Sequence, residues 1–234
     1  MDFSVFSGPA FWAALLSIII ANILLSGDNA VVIALASRNL PAHQQKKAIF
    51  WGSAAAIVLR VVLTITAVQL LTLPYLKIIG AILLIYIGVQ LLADSDDDAN
   101  MEGSSNIWGA IRTILVADLV MSLDNVLAVA AAAQRGPEET RLALLIIGLG
   151  LSIPLIIFGS TMLLKVMDRF PVIITLGAGL LGLLAGGMLV EDPAIKESMQ
   201  AAFEDAHMIF EGIGVAIVIL LGTYLKKKNA SKEA

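Results

Sequence analysis

Cysteine is absent from the 234-residue chain and histidine occurs only twice. The first absence excludes disulfides, thiolate nucleophiles and soft-metal sites, and the second leaves little imidazole for a Zn²⁺ or Cu⁺ centre. Charge is also scarce, at 15% of residues against about 25% in soluble domains. No nucleophile-base pairing, Gly-rich phosphate loop or nucleic-acid-binding patch stands out, so neither catalysis nor nucleic-acid binding is expected. The N-terminal "MDFSVFSGPAFW" has no basic segment ahead of its apolar run, so that run reads as a retained first span and not a signal peptide.

What fills the chain instead is apolar surface, 59% of residues. A helix needs about 20 apolar residues to cross a bilayer, and runs near 10–36, 48–71, 75–92, 107–133, 142–164, 172–190 and 207–225 qualify. The expectation is a single all-α polytopic membrane unit of seven transmembrane helices. Lys and Arg collect on one side of it: Arg38, Lys46, Lys47, Arg112, Lys165, Arg169, Lys226, Lys227, Lys228 and Lys232, against Lys77, Arg135, Arg141 and Lys196 on the other. That bias places the N-terminus outside and the basic tail 226–234 in the cytoplasm of a bacterial inner membrane, the tail acting as an anchor at the anionic leaflet.

Two stretches repeat each other. "ANILLSGDNAVVIA" (21–34) aligns without a gap to "ADLVMSLDNVLAVA" (117–130) at an offset of 96, pairing Ser26 with Ser122, Asp28 with Asp124 and Asn29 with Asn125. The copies stand three spans apart, so the second runs through the membrane in the opposite sense. The architecture expected is two inverted three-helix repeats, about 10–92 and 107–190, followed by the seventh helix at about 207–225. Such transporters bind substrate near the midplane where the halves meet, often on interrupted helices, and rock one half against the other. The acidic linker 93–106 resembles a calcium loop at Asp94, Asp96 and Asp98, but Ala99 and Ser105 stand where Gly and Glu are required. It reads as a solvated connection.

On a regular helix Asn22, Ser26 and Asn29 fall within about 60° of one another while Asp28 points away; Asp118, Ser122 and Asn125 stand in the same relation to Asp124. Unwinding at Ser26–Asn29, eased by Gly27, would aim all of them at one point and free main-chain carbonyls. Buried Ser and Asn alone also serve as helix-packing groups. An aspartate at mid-span costs roughly 3 kcal/mol and marks an ion or proton path. Asp28, Asp118 and Asp124, with Asn22, Asn29 and Asn125, therefore form the candidate metal-ion site, supported by Ser26, Ser122 and Arg60. Oxygen ligands suit Mn²⁺, Mg²⁺ or Ca²⁺. If Arg60 faces the site, three carboxylates and one guanidinium leave a deficit that a divalent cation balances; otherwise Arg60 is a packing arginine. Glu204, His207 and Glu211 share a helix face and form either an outer ion-binding point or the wet end of the last helix. Gly182 and Gly186 have the spacing of a close helix contact, and Pro154 predicts a kink.

The paired S-x-D-N motifs, in "LLSGDNAVVIALA" and "VMSLDNVLAVA", resemble the TerC family of integral membrane proteins over essentially the whole chain. The resemblance implies a lysine-exporter-like transporter that moves divalent metal, above all Mn²⁺, out of the cytoplasm as substrate and not as a resident cofactor, with Mg²⁺ or Ca²⁺ less favoured. It maps the family's acids onto Asp28, Asp124 and Asp118, with Asn29 and Asn125 beside them. One departure is Asn22, which stands where many members carry an acid. The competing expectation is a membrane scaffold, or a partner in metallation or insertion, whose polar pairs serve packing. Neither oligomeric state nor coupling ion follows from the residues.

Overall fold

The computed structural model describes residues 8–70, 73–93 and 106–233, without the side chains of 67–70, 124, 232 and 233. Residues 94–105 of the acidic linker and the Asp124 carboxylate thus lie outside the described residues. Those described are helical: α1 (Pro9–Leu24), α2 (Gly27–Ser37), α3 (Ala42–Leu70), α4 (Leu76–Ala93), α5 (Ile107–Gln134), a 3₁₀ turn (Glu138–Thr140), α6 (Arg141–Gly150), α7 (Ile153–Arg169), α8 (Val172–Val190), α9 (Lys196–Ala202) and α10 (Ala206–Glu233). Five stretches are long and apolar enough to cross a membrane, and seven if each of two bent pairs is one span. The outer surface is itself apolar: Leu24 is 77% exposed, Trp108 71% and Leu220 69%. Such faces are stable only against lipid.

The bends have local causes. α1 begins on Pro9, whose missing N–H is among those a helix start leaves unbonded. It ends at Leu25 and Ser26, where the Ser26 N–H reaches back only three residues to the Ile23 carbonyl, and α2 leaves at 50°. α5 turns by 63° between Ile107–Leu123 and Asn125–Gln134, two residues beyond the position that matches Ser26 in the second copy. The 3₁₀ turn, α6 and α7 form one 32-residue span, Glu138–Arg169, interrupted at Leu151 and Ser152. Pro154 explains that interruption, since it has no N–H to offer the Gly150 carbonyl and its ring crowds that carbonyl.

The two halves pack alike. α3 lies against α5, as the α6–α7 span lies against α1 and α2; α4 meets α8, and the bent spans cross each other. Individual contacts repeat at the same offset of 96. A Cβ on Gly52 would stand 2.8 Å from Ile114 Cδ1, and one on Gly148 would stand 2.5 Å from Ile18 Cγ2. Leu40 and Ala48 cluster with Ala110; in the other half Gly136 meets Leu144 and Ala14. Large and small exchange places between these last two clusters, so their total volume differs by only one methyl group while the residue order is reversed. α10 packs on α8 and α4 outside the repeat. Gly182 and Gly186 there meet the backbone of Gly214 and Phe210 directly, the close contact their spacing predicts.

Candidate functional site

The crossing of the two bent spans holds a buried polar cluster centred on Arg60, from α3. The residue is 1% exposed, and its side chain uses three nitrogens. Nη1 donates to Asn22 Oδ1 (2.6 Å) and Ser26 Oγ (3.3 Å), Nε to Ser122 Oγ (3.0 Å), and Nη2 to Asp118 Oδ1 (2.5 Å). Ser26 donates to Asn22 Oδ1 and Ser122 to Asp118 Oδ2, each at 3.3 Å. Asn22 and Ser26 are the repeat counterparts of Asp118 and Ser122. One planar fork therefore joins equivalent pairs from the two halves. Its own counterpart at the offset of 96 is the apolar Ile156, so the positive charge is supplied once. A guanidinium this deep is tolerable only with a carboxylate partner and hydrogen bonds to its other nitrogens, as here.

The remaining candidates stand around this centre without joining it. Asn125 Nδ2 donates 3.1 Å to the Leu25 carbonyl, so the main-chain oxygen freed by the α1 break is bonded by the other repeat. Asn29, one turn beyond Ser26 on α2, is 3% exposed, and neither its Oδ1 nor its Nδ2 has a hydrogen-bond partner; Asn22 Nδ2 also lacks one. A buried amide left unbonded costs roughly 1–3 kcal/mol for each group, so these are the unsatisfied positions of the crossing. Asp28 accepts the Asn29 N–H at 2.8 Å in the first turn of α2, where the helix dipole favours a carboxylate.

The geometry departs from the sequence expectation in two respects. The helix loses its winding at Leu25 and Ser26, just before the expected place, and this does not bring Asp28 to the fork. Gly27 has no positive φ, and a Cβ there would meet nothing within 4 Å. Its role is space, not backbone freedom: it borders a cleft of about 180 Å³ with Ser26, Ala30, Ser152 and Gly159, where the α1–α2 break faces the α6–α7 break. Among the described residues no group of three or more His, Asp or Glu is placed to hold a metal.

At the other end of α8, His207 lies 3.7 Å from Glu191 and 3.9 Å from Glu211, a loose arrangement; Glu204 makes no ion pair with it, although both border one open surface cleft with Gln200 and Asp205. Sequence reasoning missed Asp192. Fully buried, it accepts the N–H groups of Tyr75 (2.9 Å), Lys77 (3.1 Å), Ile78 (3.2 Å) and Ala194 (2.8 Å). Burial alone pushes its carboxyl up, but these N–H groups outweigh burial and hold it below its ordinary value. It thereby caps α4 from the end of α8 and holds Tyr75 at a φ of 67°. The Asp-Pro pair at 192–193 signals a turn, yet nothing local announces a partner more than a hundred residues away.

A buried charged fork where two bent spans cross, inside a bundle with an apolar exterior, defines a polytopic helical membrane protein. The chain matches the model of the "Integral membrane protein TerC family" over residues 7–230, and it belongs to that family. It is similar to "Uncharacterized membrane protein YjbE" of Bacillus subtilis (strain 168), at 41% identity over 214 residues, covering 92% of this chain and 95% of that protein. "Uncharacterized membrane protein YceF" of the same organism is 24% identical over 98% of this chain and 88% of its own length. "UPF0053 protein YegH" of Escherichia coli (strain K12) is 23% identical over 78% of this chain, which corresponds to only 37% of that protein. No solved structure matches the chain.

Proposed function

We propose that the protein is a transporter that exports divalent cations, Mn²⁺ foremost, from the cytoplasm through the polar crossing, without enzymatic activity. The observation that carries this reading is the buried set of oxygens on Asn22, Ser26, Asp118 and Ser122, presented by equivalent positions of two bent spans. Asp and amide oxygens with no sulfur suit hard divalent ions. The unbonded amide of Asn29 supplies oxygen one turn away. Asp28, Asp124 and Asn125 complete the proposed path, and the bias of Lys and Arg sets the N-terminus outside.

The test is Mn²⁺ flux into liposomes holding the purified protein, together with manganese tolerance of cells. Wild-type flux and tolerance are expected to fall at least about tenfold in Asp118→Asn, Asp28→Asn and Asp124→Asn, each loss being equivalent to about 1.4 kcal/mol or more. Normal flux and tolerance in all three, at normal protein levels, defeat the proposal. The second reading, a membrane scaffold or metallation partner, draws support from the Asn125 bond to Leu25, a polar link that simply ties two helices. Metal-independent capture of a partner, with no flux, favours that reading.

A further inference from the structure

We infer that Arg60 is a tethered substitute for the transported cation, occupying the oxygen shell between substrates, so that metal binding and the Arg60 fork exclude each other. This inference rests on the export reading above and adds to it the device that empties the site.

Four side-chain oxygens, Asn22 Oδ1, Ser26 Oγ, Asp118 Oδ1 and Ser122 Oγ, all converge on one cationic group at 2.5 to 3.3 Å. A hard divalent ion needs such oxygens at about 2.0–2.6 Å, so it cannot share them with three guanidinium nitrogens already in contact. Like charge adds to the exclusion, because a dication beside a buried guanidinium is repelled in a medium of low dielectric. The charge arithmetic of the fork points the same way. Asp118 and Arg60 balance each other, and Asn22 brings no second negative charge, so the fork itself is neutral without metal. A neutral fork can change conformation without carrying the Asp118 carboxylate bare through the bilayer core.

Arg60 is unlike a packing arginine in two ways. It has no counterpart in the second repeat, where Ile156 fills the place, and it divides its donors between both repeats. A residue that only stabilised one helix contact would not need to bridge the two pairs that the inversion relates. The competition also predicts its own strength. If the fork is closed in about nine molecules of ten, apparent affinity for the metal is about tenfold weaker than the open site would give. Removing the guanidinium should therefore tighten binding while slowing release.

The experiment compares the full-length protein with Arg60→Gln and Arg60→Lys, measuring Mn²⁺ binding by titration calorimetry in detergent and flux in liposomes. Arg60→Gln is expected to bind Mn²⁺ about tenfold more tightly and yet transport it more slowly. The Lys variant, whose ammonium holds fewer of the oxygens, should fall between it and wild type. A purely structural role would weaken binding and flux together. Unchanged or weaker affinity in Arg60→Gln, with wild type binding and transporting normally, overturns the Arg60 assignment alone. If the Gln variant is not recovered folded, the Lys variant decides: affinity above wild type supports the inference and unchanged affinity overturns it. Wild-type protein that neither binds nor moves Mn²⁺ overturns this inference and the export reading together.

Discussion

Arg60 and Asp118 form a pair whose halves are safe only together. Removing one leaves an uncompensated charge among buried neighbours, which costs about 3–5 kcal/mol, whereas replacing both with apolar side chains of similar volume is often neutral for stability. Asp118→Asn should thus lower the thermal midpoint of the detergent-solubilised protein markedly, while Arg60→Met combined with Asp118→Leu should regain most of that loss and remain inactive in flux. Equal destabilisation of the single and double variants would mean that the pair does not carry this energy. Much of this centre was legible in the residues, because Ser26, Asp28 and Asn29 recur as Ser122, Asp124 and Asn125 and carboxylates are rare at mid-span. The choice of Asp118 and not Asp28 as the partner of Arg60 was not legible. It depends on where the break falls within one turn of α1, and a shift of one residue turns a side chain by about 100°.

At the scale of elements, polar residues and proline announce where helices bend, and glycine pairs announce where they touch. Pro154 gave the α6–α7 interruption, and Gly182 with Gly186 gave the contact of α8 with α10. Helix contacts made through backbone leave no room for a side chain. Gly182→Leu should force α8 and α10 apart, with a loss of roughly 1–3 kcal/mol or more from overpacking. Gly109→Ala, where a Cβ would meet nothing within 4 Å, should be tolerated. Thermal unfolding of the two variants checks the contrast, and equal midpoints would contradict the packing described. The clusters at Leu40–Ala48 and Gly136–Leu144 show why packing was less readable than polarity. Their volumes differ by only one methyl group but the order of large and small is reversed, so a residue-by-residue alignment of the halves sees mismatches at both positions.

For the whole molecule, an acid that the repeat motifs do not contain ties distant helices together. Asp192 is charged in the native state and its carboxyl sits below its ordinary value, near 3.9 in an unfolded chain. A group depressed in this way adds stability that is fully present above the unfolded value and lost as pH falls through the lower native one. Asp192→Asn should therefore be less stable than wild type at neutral pH, by about 1–3 kcal/mol, and the gap should close in acid below about pH 4. A gap that stays constant down to pH 3 would deny the carboxylate this role. The carboxylate also has a mechanical meaning. It fastens the start of the first repeat's last helix to the end of the second's, and the glycine contact fastens α10 to the same pair. α4, α8 and α10 thus make a packed frame drawn from both repeats, distinct from the interrupted spans. Any movement of one repeat against the other must therefore either carry α4 and the end of α8 together or break the Asp192 bonds to the α4 N–H groups.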